Sequence, residues 1–190
     1  MAKQLSPGVR VGERTLVSVE GERITVPDGG RLVHLQFRRF AGCPICNIHL
    51  RSIQRRYAEI EAHGIGEVVV FHSPAGELAP YVAELPFPVI ADPEKELYRE
   101  FGVESAPRAL LDPRAWPGIV TGIARATGRA LQRKEPVPSL RQQGGRLGLP
   151  ADFLIASDGE IVAAKYGAHA DDQWQVDELL ATSLAPRSQL

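Results

Sequence analysis

Residues 31–52 read RLVHLQFRRFAGCPICNIHLRS, and the pattern of this stretch changes once, at the cysteines. Leu32 to Phe37 follows the turn residues Asp28-Gly29-Gly30 and reads as a strand. From Cys46 onward the apolar positions Cys46, Leu50, Ile53, Tyr57 and Ile60 are spaced four, three, four and three apart, which predicts an amphipathic helix ending near His63-Gly64. A strand that runs into a helix at Cys43-Pro44-Ile45-Cys46 puts both thiols at the helix N-terminus.

That placement has chemical content. With Cys43 as the N-cap, Pro44 occupies N1, where its missing N–H costs nothing, and the free N–H groups of Ile45 and Cys46 point toward the Cys43 sulfur. A thiolate there is stabilised by those donors and by the positive end of the helix, so the reading expects a lowered pKa and a nucleophilic Cys43. Residues three apart share a helix face at about 5–6 Å between Cβ atoms, close enough for a disulfide. Cys46, one step into the first turn, suits the resolving role. The competing reading is a metal site, which needs two more ligands, and His49 is the nearest. His34, His63, His72 and His169 share no spacing and read as structural or solvated, His49 as a surface or edge residue, and Arg38, Arg39 and Arg51 as solvated.

On the N-terminal side, Thr15 to Val26 alternates around Glu20-Gly21-Glu22 and predicts a β-hairpin. On the C-terminal side, Glu67 to Phe71 is a valine-rich strand buried on both faces. A helix follows from Ser73-Pro74 to about Leu85, interrupted by Pro80. Pro88 to Ala91 is a further strand and Glu94 to Phe101 a helix closed by Gly102. The order β, α, β, α, β, α requires parallel pairing and right-handed crossovers. Residues 104–148 mix Pro, Gly and Arg around one helical piece at Ala115 to Ala130 and read as an insertion. After it come a strand at Asp152 to Ala156, a Ser157-Asp158-Gly159 turn, a strand at Ile161 to Tyr166, and a last helix opened by Asp171 and Asp172. The whole reads as one domain over residues 13–184, with residues 185–190 a tail.

The 190 residues are 44% hydrophobic and 24% charged, with 22 Lys+Arg against 23 Asp+Glu for a net charge of −1. Such a balance gives no general grip on nucleic acid or an anionic membrane. No apolar run approaches the ~20 residues of a membrane helix, and the polar start, Met1 to Arg14, lacks a secretory apolar core, so the expectation is cytoplasmic. Two cysteines exclude a disulfide framework.

The segments RLVHLQFRRFAGCPICNIHLRS, EVVVFHSPAGELAPYVAELPFPVIADPEKELYREFGV and LPADFLIASDGEIVAAKYG together resemble the peroxiredoxin-like branch of the alkyl hydroperoxide reductase and thiol-specific antioxidant family. The resemblance implies an α/β, thioredoxin-like fold, with a central mixed sheet flanked by helices, and thiol-based antioxidant or disulfide-exchange activity. It also implies a peroxide or disulfide substrate and an external thiol or thioredoxin-type reductant, a cycle that requires no organic cofactor; with His49 the one nearby candidate ligand, no metal is expected either. Two positions depart from the peroxiredoxin pattern: Phe40 stands where that pattern has Thr, and Pro150 where it has a peroxide-polarising Arg, a role for which Arg38, Arg39 or Arg51 is the substitute if it is not solvated. Pro150 instead matches the cis proline that packs beside Cys-x-x-Cys in thioredoxin-like reductases, the alternative being an ordinary trans proline opening a strand.

The site expected from all this is Cys43, Cys46 and Pro150, cycling between dithiol and disulfide, with disulfide exchange ranked ahead of peroxide reduction. The alternative is a non-enzymatic redox sensor, whose Arg-rich insertion (Arg108, Arg114, Arg125, Arg129, Arg133, Arg141 and Arg146) would meet an acidic partner.

Overall fold

The computed structural model describes residues 3–103, 113–117, 120, 121, 124, 145 and 148–185. Strands β1 (Arg14–Val17) and β2 (Arg23–Val26) form the expected antiparallel hairpin. Five further strands, β3 (Leu32–Arg38), β4 (Ile65–Phe71), β5 (Val89–Ala91), β6 (Ala151–Ile155) and β7 (Ile161–Tyr166), form one sheet in the order β5-β4-β3-β6-β7. β3 pairs parallel with β4, and β4 with β5, while β6 runs antiparallel to both β3 and β7. The mixed sheet and its flanking helices are the thioredoxin-like fold. The hairpin shields the edge strand: Val19 N–H donates to Val89 O at 2.8 Å and Ser18 bridges to Ile90.

The helices are α1 (Pro44–Arg55), α2 (Tyr57–Ala62), α3 (Ala75–Val82), α4 (Glu96–Glu100) and α5 (Val176–Leu184). The single helix expected to run to His63 is two, because Arg56 leaves helical geometry at φ −113° and ψ 18°. The last helix starts at Val176 rather than Asp171, behind a capping box in which Gln175 and Glu178 satisfy each other's backbone N–H. Asp172 instead accepts from Ala168 N–H and pairs with Lys165. Pro80 lies within α3. At the 157–159 turn, Gly159 has φ +84°, and a Cβ there would sit 2.5 Å from Val11 O, so only glycine fits. The insertion falls largely outside the described residues. Its described part begins with a 3₁₀ turn, Pro113–Ala115, and residues 116, 117, 120, 121 and 124 are helical. Of its seven arginines only Arg114 is described, and the tail from residue 186 is not.

Period-two alternation sorts the sheet onto two faces. Val33, Leu35 and Phe37 of β3 join Val68, Val70, Tyr98, Phe101 and Phe153 in one core cluster. Ile45, Cys46, Leu50 and Ile53 of α1 join Ile65, Val69, Phe71 and Leu154 in the other. The alternate residues of β3, His34, Gln36 and Arg38, therefore face α1, and each is fully buried.

Candidate active site

Strand β3 ends at Arg38, and five residues lead to α1. Cys43 N–H donates to Phe40 O at 3.1 Å, Ala41 N–H donates to Ser73 Oγ at 2.9 Å, and Gly42 takes φ +69°. These bonds bring Cys43 to the N-cap of α1, with Pro44 behind it and Asn47 N–H donating to Cys43 O at 2.9 Å. Both cysteines are unbonded thiols, 1% and 2% exposed.

Burial opposes ionisation of the Cys43 thiol, but the Cys46 thiol, the Arg39 charge and the N–H groups of Cys46 and Ile45 outweigh it and bring the pKa down to about 6. The two N–H groups act on the sulfur without either forming a full capping hydrogen bond. Burial and the neighbouring Cys43 push the Cys46 thiol well above its usual value. The two thiols are thus set apart in acidity, Cys43 below its usual value and Cys46 above it.

Arg39, like Arg38, is not at the solvated surface first expected for it, and takes the alternative place beside the sulfur. It is 2% exposed, not solvated; its Nη1 lies 3.8 Å from Cys43 Sγ, and its guanidinium sits over the Phe40 ring at 5.2 Å. Arg38 is also buried, donating through Nη2 to Asp152 Oδ1 at 2.6 Å. Arg51 is half-buried against Glu84.

Beneath α1 these residues belong to a polar layer. His34 Nδ1 lies 2.9 Å from Glu67 Oε2 and its Nε2 lies 3.1 Å from Asp152 Oδ1, so both ring nitrogens face carboxylates. Burial disfavours the charge on His34, yet Glu67 and Asp152 overcome it and raise the pKa to about 9. Asp152 is held far below the usual carboxylate range by Arg38 and His34 despite its burial. Gln36 bridges Glu67 and Arg38. His49, expected at the surface, is buried with Nε2 3.0 Å from Arg38 Nη2. His72 is buried edge-on to Tyr98.

Pro150 directly precedes β6 and has a trans bond to Leu149; the cis bond among the described residues is Val26-Pro27. Its carbonyl accepts Gly167 N–H at 2.9 Å, and a Cβ on Gly167 would lie 2.7 Å from its ring. Two residues earlier, Gly148 packs against His72 and Arg39. The expected cis proline is therefore corrected to a trans one whose ring packs on Gly167. Among the described residues, no three His, Cys, Asp or Glu side chains converge as a metal-ligand set, and no helix is long and apolar enough to cross a membrane.

The model of the AhpC/TSA antioxidant enzyme family matches residues 52–169. The chain belongs to that family. The matched region begins beyond both cysteines, so the local geometry of this AhpC/TSA chain carries the weight for Cys43 and Cys46. No curated protein matches it. Among solved structures, peroxidoxin BcpB of Mycobacterium tuberculosis is 16% identical over 95% of this chain and 97% of its own, with a TM-score of 0.66. Peroxiredoxin Q of Xanthomonas campestris is 16% identical over 98% of each chain, with a TM-score of 0.62. A candidate thiol:disulfide interchange protein, DsbE of Chlorobium tepidum, is 19% identical over 95% of this chain and 99% of its own, with a TM-score of 0.59. At these identities the likeness is one of fold.

Proposed function

We propose that this AhpC/TSA protein is a two-cysteine thiol oxidoreductase in which Cys43 is the attacking thiolate and Cys46 resolves its oxidised form. The observation that carries the reading is the buried Cys43 sulfur, lowered to about 6 in pKa beside Arg39 and the N-terminus of α1. At neutral pH it is mostly thiolate, the nucleophilic form.

The electrophile this site favours is a small hydroperoxide. A sulfur 1% exposed admits a small molecule more readily than a bulky disulfide. Arg39 supplies a buried cation where the departing oxygen develops charge, the role left open by Phe40 and Pro150. The trans bond at Pro150 removes the argument that ranked disulfide exchange first. In the cycle, Cys43 thiolate attacks one peroxide oxygen, the O–O bond breaks, and the other oxygen leaves as the alkoxide, which takes a proton to give the alcohol or water. Cys43 is then a sulfenic acid. Cys46 attacks that sulfur, an intramolecular disulfide forms and water leaves. An external dithiol of thioredoxin type returns the pair to thiols. Such a cycle suits a reducing compartment, the cytoplasm.

Stopped-flow oxidation of the reduced protein by hydrogen peroxide, an organic hydroperoxide and a small disulfide tests the choice. Peroxide is expected to react fastest and to yield a Cys43–Cys46 disulfide on peptide mapping. A faster reaction with the small disulfide would reverse the substrate assignment, and an unreactive Cys43 would remove the function.

A further inference from the structure

We infer that His49 is a positioning residue for Cys46: a neutral Nδ1–H donor, fixed in that tautomer by Arg38, that steadies the Cys46 sulfur as it gives up its proton in the resolving step. The inference rests on the two-cysteine cycle proposed above and assigns a residue to its second half.

The tautomer follows from donor and acceptor chemistry. A guanidinium can only donate, so Arg38 Nη2 at 3.0 Å from His49 Nε2 requires a lone pair on Nε2 and places the ring proton on Nδ1. Arg38 is itself immobilised by Asp152, Gln36 and Phe37 O. Burial and the Arg38 charge both work against a second proton on the ring, so His49 is neutral. With Nε2 occupied, the imidazole cannot take the Cys46 proton; it can only donate one hydrogen bond.

That hydrogen bond is unmade in the reduced protein. His49 is 4% exposed, and its Nδ1 finds no hydrogen-bond partner among the described residues. A buried donor without an acceptor is uncommon enough in folded proteins to require a reason. Cys46 lies three residues earlier on the same buried face of α1. Helical side chains lean toward the N-terminus, over the residues three and four before them, so the His49 ring leans over the turn that carries Cys46.

The resolving step creates the missing acceptor. In it the Cys46 S–H bond and the Cys43 S–O bond break and the Cys43–Cys46 S–S bond forms. The Cys46 proton ends on the departing hydroxide as water or, from a mixed disulfide, on the departing thiolate as a thiol. Oxidation of Cys43 has by then removed its negative charge, and the remaining obstacle to a Cys46 thiolate is burial. A preorganised neutral donor one turn away meets that obstacle without adding a competing base.

The test uses dithiobis(nitrobenzoate), which releases one chromophore when Cys43 attacks and a second when Cys46 resolves the mixed disulfide. His49→Leu is expected to slow the second release about ten- to a hundredfold, the worth of a hydrogen bond to a charged group, while the first keeps the wild-type rate. His49→Asn, which retains an N–H at the δ position, is expected to recover most of the loss, and His49→Gln, with its donor at the ε position, to recover little. A second release in His49→Leu at the wild-type rate, or an equal slowing of both releases, overturns the inference. Absence of the first release from the wild-type protein together with no oxidation of Cys43 by hydrogen peroxide would defeat the proposed function instead; if peroxide alone reacts, the thiolate titration of Cys46 decides on His49. Thiolate absorbance of Cys46 in a Cys43→Ser background decides on His49 independently: adding His49→Leu should raise its titration midpoint, and an unmoved midpoint overturns the assignment.

Discussion

The guanidinium of Arg39 stands 3.8 Å from the sulfur of Cys43, with both side chains buried and the cation seated over the Phe40 ring. Phe40 and Arg39 thus act as a pair: the ring occupies the place of a hydroxyl donor in the peroxiredoxin pattern and holds the cation that faces the sulfur. An opposite charge within about 4–6 Å lowers the pKa of an acid by about 1–3 units. Arg39→Met should therefore raise the Cys43 pKa by at least about one unit and slow its alkylation at pH 6.5 at least about threefold. The two proteins should converge at alkaline pH, where both thiols are ionised. Iodoacetamide rates measured across pH check this, and a midpoint that stays near 6 would show that the helix N-terminus suffices.

The two cysteines should fail differently. Cys43→Ser is expected to abolish reaction with peroxide and with thiol reagents near neutral pH, because the remaining thiol is buried and burial works against its ionisation. Cys46→Ser should react once and stop as a sulfenic acid or mixed disulfide, seen by mass spectrometry. A trapped species in Cys43→Ser instead would exchange the roles.

The fold and the dithiol were legible in the sequence because they rest on local signals: a period change, a proline at N1, strand-length valine runs and a turn glycine. The polar layer was not, and the reason lies in β3. His34, Gln36 and Arg38 alternate with Val33, Leu35 and Phe37, a period-two pattern that on an isolated sheet means one wet face. Here α1 covers that face, and the carboxylates that make burial tolerable, Glu67 and Asp152, come from strands 33 and 118 residues away in sequence from His34. Arg39 and His49 were misplaced for the same reason, since a charge reads as solvated until its distant partner is known. Pro150 was overread: a proline opening a strand fits a trans bond equally well.

Stability should carry two opposed pH dependences. His34 has its pKa raised from 6.5 to about 9 in the fold, so its contribution is complete below pH 6.5 and is lost as pH rises toward 9. Cys43 is lowered from 9.0 to about 6, so its contribution is complete above pH 9 and is lost as pH falls toward 6. The His34 term amounts to roughly 3 kcal/mol and the Cys43 term to roughly 4 kcal/mol, and between pH 6.5 and 9 their slopes offset each other. The reduced wild-type protein should therefore change little over this window, while Cys43→Ser should lose stability steadily as pH rises. Outside it other groups intrude: the buried neutral His49 below 6.5, and the raised Cys46 thiol above 9. Urea melts at pH 6.5, 7.5 and 8.5 test the pair of signs, and a Cys43→Ser protein that gains stability with pH would refute the His34 assignment.

The centre of the polar layer is Asp152, which accepts from Arg38 Nη2 at 2.6 Å and Trp174 N–H at 3.2 Å and faces His34 Nε2 at 3.1 Å. Asp152→Asn keeps the volume and removes the charge, leaving His34 and Arg38 buried with Glu67 as the one remaining anion of the cluster. Removing one partner of a buried ion pair costs about 3–5 kcal/mol, because the other is left uncompensated. Against a typical domain stability of about 5–15 kcal/mol, that is a large share, and the urea midpoint should fall accordingly. The cost belongs to breaking the pair rather than lacking it. Arg38→Met combined with Asp152→Leu should therefore be less destabilised than Asp152→Asn alone, since apolar side chains of similar volume need no partner. A double variant worse than the single one would mean that the pair itself holds β3, β6 and α1 in register, and the cost would then belong to geometry rather than to uncompensated charge.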